Sequence, residues 1–207
     1  MIKLEDTGPV WTVTLARSDK ANALTHDMLD QLVDIAERAH VARALILTGE
    51  GRVFSAGADL DAARAGLATS PLWERLSGAI AAVQGLTIAA LNGTVAGGAM
   101  GMVLACDLRL GVSGAKFFYP VLKLGFLPQP SDPGRLARLV GPAQAKFILL
   151  GGQKVTAQDA LRTGLLDEIV PADSLMQRAQ DLTTDCVASA PEIPRAIKAM
   201  IDGGART

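Results

Sequence analysis

Asn92-Gly93-Thr94-Val95-Ala96-Gly97-Gly98-Ala99-Met100-Gly101-Met102-Val103-Leu104-Ala105-Cys106-Asp107 is the stretch that decides how this chain is read. The run before it, from Thr87 to Leu91, is β-branched and apolar, as a buried strand requires, and Asn92-Gly93 ends it. Gly97 and Gly98 then turn the backbone into an apolar helix. Without a Cβ the pair lets a ligand approach the main chain, and its place at a helix start leaves N–H groups pointing outward. Such a spot suits an anion, or an oxygen that becomes anionic during a reaction. Tight packing of a helix on a sheet would also explain these glycines. Ile88 to Cys106 is apolar over a length that suggests a membrane span, but Asn92, the glycines and Asp107 speak against one. Glycines at 93, 97, 98 and 101 do not have the Gly-x-Gly-x-x-Gly spacing of a dinucleotide turn.

Working outward, Val53-Phe54-Ser55-Ala56-Gly57-Ala58-Asp59-Leu60 repeats the pattern of strand, glycine and helix start. Upstream, Ile2–Glu5 and Val10–Ala16 read as a hairpin around Thr7-Gly8-Pro9, followed by a polar loop from Arg17 to Ala23. Thr25 can cap a helix with Met28, Leu32, Ile35, Ala36 and Ala39 on one side. His26 reads as a surface histidine at the start of that helix, and His40 sits at its negative end. Ala42–Thr48 is a further strand, and Leu72–Val83 a helix. Downstream, Leu108–Val112 and Lys116–Phe118 read as strands, and Pro128–Gly134 as a rigid loop. Helices follow at Arg135–Val140, Ala143–Leu149, Ala157–Thr163, Ser174–Ala190 and Ile193–Ile201, with a strand at Glu168–Val170. The expected architecture is one α/β domain over residues 1–207, with a core of about 1–172 and C-terminal helices over about 173–203.

The bulk numbers set limits. With 207 residues, 49% of them hydrophobic, the chain can bury a sizeable core. A net charge of −1 gives no general pull towards nucleic acid or a membrane surface. Cys106 and Cys186 have no metal-ligand spacing, and with only two histidines no metal site is expected. They read as buried thiols in a reducing compartment. No signal core follows Lys3, so the expected location is cytoplasmic.

Taken together, the segments resemble the enoyl-CoA hydratase/isomerase family, the crotonase superfamily. The resemblance is carried by Lys20-Ala21-Asn22-Ala23-Leu24, by Arg43 to Leu60, by Ile88 to Asp107 and by Ala115-Lys116-Phe117-Phe118. It continues through Arg138-Leu139-Val140-Gly141, Thr156 to Ala160 and Gly164-Leu165. It implies a spiral of ββα units around two nearly perpendicular sheets, with a helical C-terminal part. It also implies an acyl-CoA substrate, CoA being part of the substrate and no separate cofactor being needed. The implied oxyanion hole consists of the backbone N–H groups of Ala58 and Gly98. Two prearranged donors of this kind stabilise the negative charge that develops on a thioester oxygen, and loss of one typically costs on the order of 10²–10³ in rate. Ala58, Asp59, Leu60 and Asp61 match the segment that holds the substrate. Lys20 and Ala21 match the loop at the nucleotide end, where Lys20 can pair with a CoA phosphate. Asp107 matches a structural aspartate.

Two departures stand out. The family's hydratases use two glutamates to activate water, and Gly101 and Val121 stand at those positions, so the acid/base pair needed for hydration is missing. Three other residues are candidates for that work. Asp132 precedes Pro133 and reads first as a helix N-cap. Tyr119 lies two residues before Val121, and Glu74 is on a helix bordering the family's pocket. Leu67, Leu72, Leu76, Met100 and Leu122 are the expected lining of an acyl tunnel. The second departure is that family members continue past the match to Ser174–Ala190, while this sequence stops at Thr207. The resemblance therefore implies a homo-oligomer, with the family's trimer one form, or a site left open. Isomerase- or decarboxylase-type chemistry on an acyl-CoA is expected rather than hydration. The alternative is a catalytically silent acyl-CoA-binding or scaffolding protein.

Overall fold

The computed structural model describes residues 1–203, which fold into two sheets wrapped by helices. The larger sheet has the order β1 (Ile2–Glu5), β2 (Val10–Leu15), β3 (Ala44–Gly49), β5 (Leu86–Leu91), β7 (Leu108–Gly111) and β10 (Glu168–Ile169). The smaller has β4 (Val53–Ser55), β6 (Thr94–Ala96), β8 (Lys116–Phe118) and β9 (Val155–Thr156). The helices are α1 (His26–Arg38), α2 (Leu60–Arg64), α3 (Leu72–Ala81), α4 (Ala99–Ala105), α5 (Val121–Leu124), α6 (Asp132–Leu149), α7 (Ala157–Thr163), α8 (Leu175–Asp181), α9 (Thr184–Ala188) and α10 (Glu192–Gly203). In β3–β4–α2, β5–β6–α4 and β7–β8–α5 one strand enters the larger sheet, the next enters the smaller, and a helix follows. This repeat is the expected ββα spiral.

The continuous apolar run of β5 reflects a strand covered on both faces. Successive side chains point to opposite sides, so Ala89 and Leu91 join the main core with Leu45 and Leu47 of β3. Ile88 and Ala90, with Ile46 and Leu110, face a second cluster closed by Leu175 and Ala179 of α8. Main-chain pairing is antiparallel in β1–β2 and parallel from β2 through β3, β5 and β7 to β10.

The sequence reading needs correction at several places. β6 and β9 are strands of three and two residues, too short for a periodic signal. The helix expected over Ser174–Ala190 is two, because the Thr183 hydroxyl donates to the Gln180 carbonyl and the chain bends there. α6 begins three residues before Arg135 and is broken at Gly141, whose φ of 78° and ψ of 158° precede Pro142. Its two arms match the two helices expected there. Of the cysteines, Cys106 is buried and Cys186 only half-buried.

The connection between β3 and β4 is held by two asparagines. Asn22, fully buried at φ 51°, donates through Nδ2 to the carbonyls of Glu50 (2.9 Å) and Val53 (2.8 Å) and accepts from the Arg17 N–H (2.9 Å). Asn92 accepts from the Gly49 N–H at 3.1 Å and donates to the Gly51 carbonyl at 3.0 Å. Asn22→Ala removes three hydrogen bonds and places alanine in a left-handed conformation that asparagine tolerates better. Chemical denaturation should show a loss of about 2–4 kcal/mol; a change within about 0.5 kcal/mol would contradict this account of the loop.

Candidate active site

β4 and β6 run parallel, so the turns that follow them leave the sheet side by side. Gly57, at φ 88°, lies so close to the second turn that a Cβ there would be 2.7 Å from the Ala96 carbonyl oxygen. Gly97, at φ 57°, faces back, with its own Cβ direction 3.8 Å from the Gly57 Cα. The turns touch main chain to main chain, which glycine alone permits without strain.

That contact sets two donors free. The Leu24 N–H donates to the Gly57 carbonyl and the Asp59 N–H to the Leu24 carbonyl, both at 2.8 Å, so the bonds lie on either side of Ala58. In the second turn the Gly97 N–H is taken by the Phe118 carbonyl at 3.1 Å. Among the described residues, neither the Ala58 nor the Gly98 N–H has a protein acceptor. Gly98 is backed by Trp73 of α3, three of whose ring atoms would lie 3.0 Å from a Cβ at that position. The ring is buried and fixed by its Nε1–H, which donates to the Leu67 carbonyl at 2.8 Å. The sequence reading did not single out Trp73, since nothing local distinguishes it from any other apolar helix residue.

The first turn is also anchored from outside. The Ala56 N–H donates to the carbonyl of Ala21, which follows the exposed Lys20 in a 3₁₀ turn. Asp59 caps α2, accepting from the N–H groups of Asp61 and Ala62, and also accepts from Arg17 at 2.8 Å. The Arg17 guanidinium, helped by these N–H groups, holds the Asp59 carboxyl below its ordinary range. Leu60 and Asp61 are exposed. The two segments expected to hold the substrate are therefore joined to the Ala58 turn.

The acid/base candidates gather beside Gly101. The N-cap reading of Asp132 is overturned, because Ser131 holds the cap position and is itself fastened by Glu74 of α3. Its carboxylate accepts from the Ser131 N–H at 3.2 Å and from the Ser131 hydroxyl. Asp132 instead turns inward and is 1% exposed. Its Oδ2 accepts from the Tyr119 hydroxyl at 2.8 Å, while its Oδ1 is buried with no partner. A Cβ at Gly101 would lie 3.1 and 3.2 Å from the two carboxylate oxygens. Burial pushes the Asp132 carboxyl up to about 6, against the pull of the Tyr119 hydrogen bond and the Arg135 charge, while Glu74 pushes the same way as burial. Tyr119 is raised as well, by burial first and then by its carboxylate neighbour.

Other candidates fall elsewhere. Val121 is a buried apolar residue at the start of α5. Of the expected tunnel residues, Leu67, Leu76 and Met100 are core and Leu122 is 58% exposed. Asp107 is structural, its Oδ2 accepting from the Thr87 N–H, the Thr87 hydroxyl and Lys198 Nζ. His26 is exposed and pairs with Asp30. A cleft of about 800 Å³ opens at the far end of α4, between Leu104, Arg138 and Ile197, but neither the two donors nor Asp132 lines it. No helix of the described residues is long and apolar enough to cross a membrane.

Residues 5–206 match the sequence model of the family described as enoyl-CoA hydratase/isomerase. The chain belongs to that family. Among similar proteins is the short-chain-enoyl-CoA hydratase of Clostridium acetobutylicum, 33% identical over 97% of this chain and 80% of that one. The 2,3-dehydroadipyl-CoA hydratase of Escherichia coli is 34% identical over 91% of this chain and 76% of its own length. Among solved structures, Pseudomonas aeruginosa DspI superposes with a TM-score of 0.89 at 31% identity, covering 99% and 87% of the two chains. The Bacillus anthracis enoyl-CoA hydratase gives 0.91 at 28% identity, covering 100% and 84%. This family member therefore has the crotonase fold.

The buried Asp132 gives stability a definite pH dependence. Its folded pKa lies above the ordinary carboxylate value, so the native state holds this proton more tightly than the unfolded chain. The associated stability is full below about pH 4 and lost as pH rises through about 6. Asp132→Asn should therefore melt higher than the parent at pH 8, by up to ~3 kcal/mol, with the difference vanishing near pH 4. Equal melting at both pH values would contradict the burial argument.

Proposed function

We propose that this chain binds an acyl-CoA thioester with its carbonyl oxygen between the Ala58 and Gly98 N–H groups and stabilises the enolate formed there. The observation that carries the reading is the pair of free donors at the contact of two glycine turns. Their directions are fixed before any ligand arrives, so no reorganisation is needed when charge develops. The Lys20–Ala21 loop would take the nucleotide end, and the Asp59–Asp61 segment the thioester end. Similar proteins carry the names of acyl-CoA hydratases, which supports this substrate class.

Isomerisation or decarboxylation fits the residues better than hydration. Water must lose a proton as it attacks a conjugated thioester while the α-carbon gains one, and neither Gly101 nor Val121 can move a proton. Each positioned acid/base group contributes typically 10²–10⁴-fold, so losing both would remove several orders of magnitude. The same two residues favour a second reading, that of a silent acyl-CoA binder in which Gly57, Gly97 and Gly98 serve packing alone.

Hydration of crotonyl-CoA, followed by loss of the conjugated thioester absorbance, should stay near background. Robust turnover would refute the preference for isomerase-type chemistry. Calorimetric titration should show tighter binding of butyryl-CoA than of butyrate or NAD; equal affinities would remove the acyl-CoA reading itself. Gly98→Pro keeps a φ near the native −58° and deletes the donor, and its ring also presses on Trp73. In a variant shown by circular dichroism to be folded, any turnover should fall by at least about 10², and unchanged turnover would place the chemistry elsewhere.

A further inference from the structure

We infer that Asp132 is the catalytic acid/base of this site, standing in the space left by Gly101 and positioned by Tyr119, and that it moves a proton at the α-carbon of the bound thioester. This rests on the reading of Ala58 and Gly98 as the holders of the thioester oxygen. Three observations lead to it. Asp132 does not take the ordinary role of an aspartate before proline, since Ser131 is the N-cap of α6 and the Asp132 carboxylate bonds to Tyr119 instead. Asp132 Oδ1 is a buried carboxylate oxygen with no donor, which is costly unless the group has a further use. Its carboxylate lies against the Cα of Gly101, one helical turn and about 5 Å along α4 from Gly98. The α-carbon of a thioester lies two bonds from its carbonyl oxygen, so an oxygen held at the Gly98 N–H puts that carbon within about 5 Å of the Gly98 nitrogen.

The glycine at 101 is thereby explained as something other than a lost function. A side chain there would begin 3.1 Å from Oδ1, so Asp132 would have to give way by a few tenths of an ångström. The structure has one carboxylate in this space, supplied from a different helix.

Tyr119 is a positioning residue. Its hydroxyl donates to Oδ2 and accepts weakly from the Gln129 N–H at 3.4 Å, which leaves Oδ1 as the oxygen free to react. In the step itself, the Asp132 carboxylate takes an α-proton through Oδ1 and the C–H electron pair becomes the carbon–carbon π bond of the enolate. The carbonyl π pair moves onto the thioester oxygen, where the two N–H groups hold it. Once the Asp132 acid has traded its proton with solvent, delivery of the solvent-derived proton to the α-carbon gives exchange, and delivery to the γ-carbon of a β,γ-unsaturated chain gives isomerisation. No co-reactant is needed. Asp132 is 1% exposed in the unliganded chain, so the acyl group must part the side chains that cover it.

The groups facing this carboxylate are Tyr119 after β8, Glu74 on α3 and Arg135 on α6. They give the test its pH signature. Butyryl-CoA incubated in deuterated water and read by mass spectrometry should gain deuterium at the α-carbon. The rate should rise with pH through an inflection near 6, where the carboxylate forms. Asp132→Asn should lower exchange by at least ~100-fold while calorimetry shows the thioester still bound. Tyr119→Phe should retain exchange but shift the inflection to higher pH, because the hydrogen bond that holds the carboxyl down is lost. Glu74→Gln should retain exchange with the inflection moved to lower pH, because the charge that lifts the Asp132 carboxyl is lost. A folded Asp132→Asn with parental exchange, or loss of exchange in Glu74→Gln instead, overturns this inference alone. A parent chain that binds butyryl-CoA without exchanging its α-protons overturns both this inference and the isomerase-type reading. One that does not bind it overturns the acyl-CoA reading on which both rest.

Discussion

The closeness of two backbone turns is the constraint on which the rest of this structure depends. Gly57 and Gly97 meet with no side chain between them, and every neighbouring feature serves that approach. β4 and β6 bring the turns out of one sheet in parallel. Leu24 grips the first on both sides of Ala58, and Phe118 takes the Gly97 N–H of the second. Behind them, Trp73 fills the space against Gly98, and the Asn22 and Asn92 amides fasten the loop that feeds β4. The result is a pair of N–H donors whose direction is set by the fold rather than by any mobile side chain. Electrostatic stabilisation of a developing charge depends on this kind of preorganisation.

What the sequence made legible follows from how local its signals are. The pattern of strand, glycine and helix start at Phe54–Leu60 and at Leu91–Val103 can be read by eye, because apolar runs and glycines report directly on backbone geometry. The Thr25 cap of α1 and the two arms of α6 around Gly141-Pro142 were readable for the same reason. Asp132 was misread because a local rule, aspartate before proline as a helix cap, lost to tertiary partners. Glu74, 57 residues away in sequence, fastens Ser131 at the cap position, and Tyr119 draws the carboxylate inward. Trp73 could not have been found at all from spacing, since its importance lies in what its ring touches.

The relation between Gly101 and Asp132 changes the meaning of a missing residue. Read along the chain, Gly101 stands where the resemblance leads one to expect a hydratase glutamate. Folded, the same position lies under a carboxylate delivered by α6, and burial has raised the affinity of that group for protons. A family resemblance carries over the scaffold and the donors more securely than the acid/base groups. The donors are main chain and follow from the fold, whereas a carboxylate can reach one place from several helices.

The central claim is that the Ala58 and Gly98 N–H groups together receive a thioester oxygen, and the direct measurement is a crystal structure of the chain with butyryl-CoA bound. The account predicts the carbonyl oxygen within about 2.7–3.1 Å of both nitrogens, as an oxyanion hole requires. A thioester bound with its oxygen away from both, for example in the cleft beside Ile197 at the far end of α4, would contradict it.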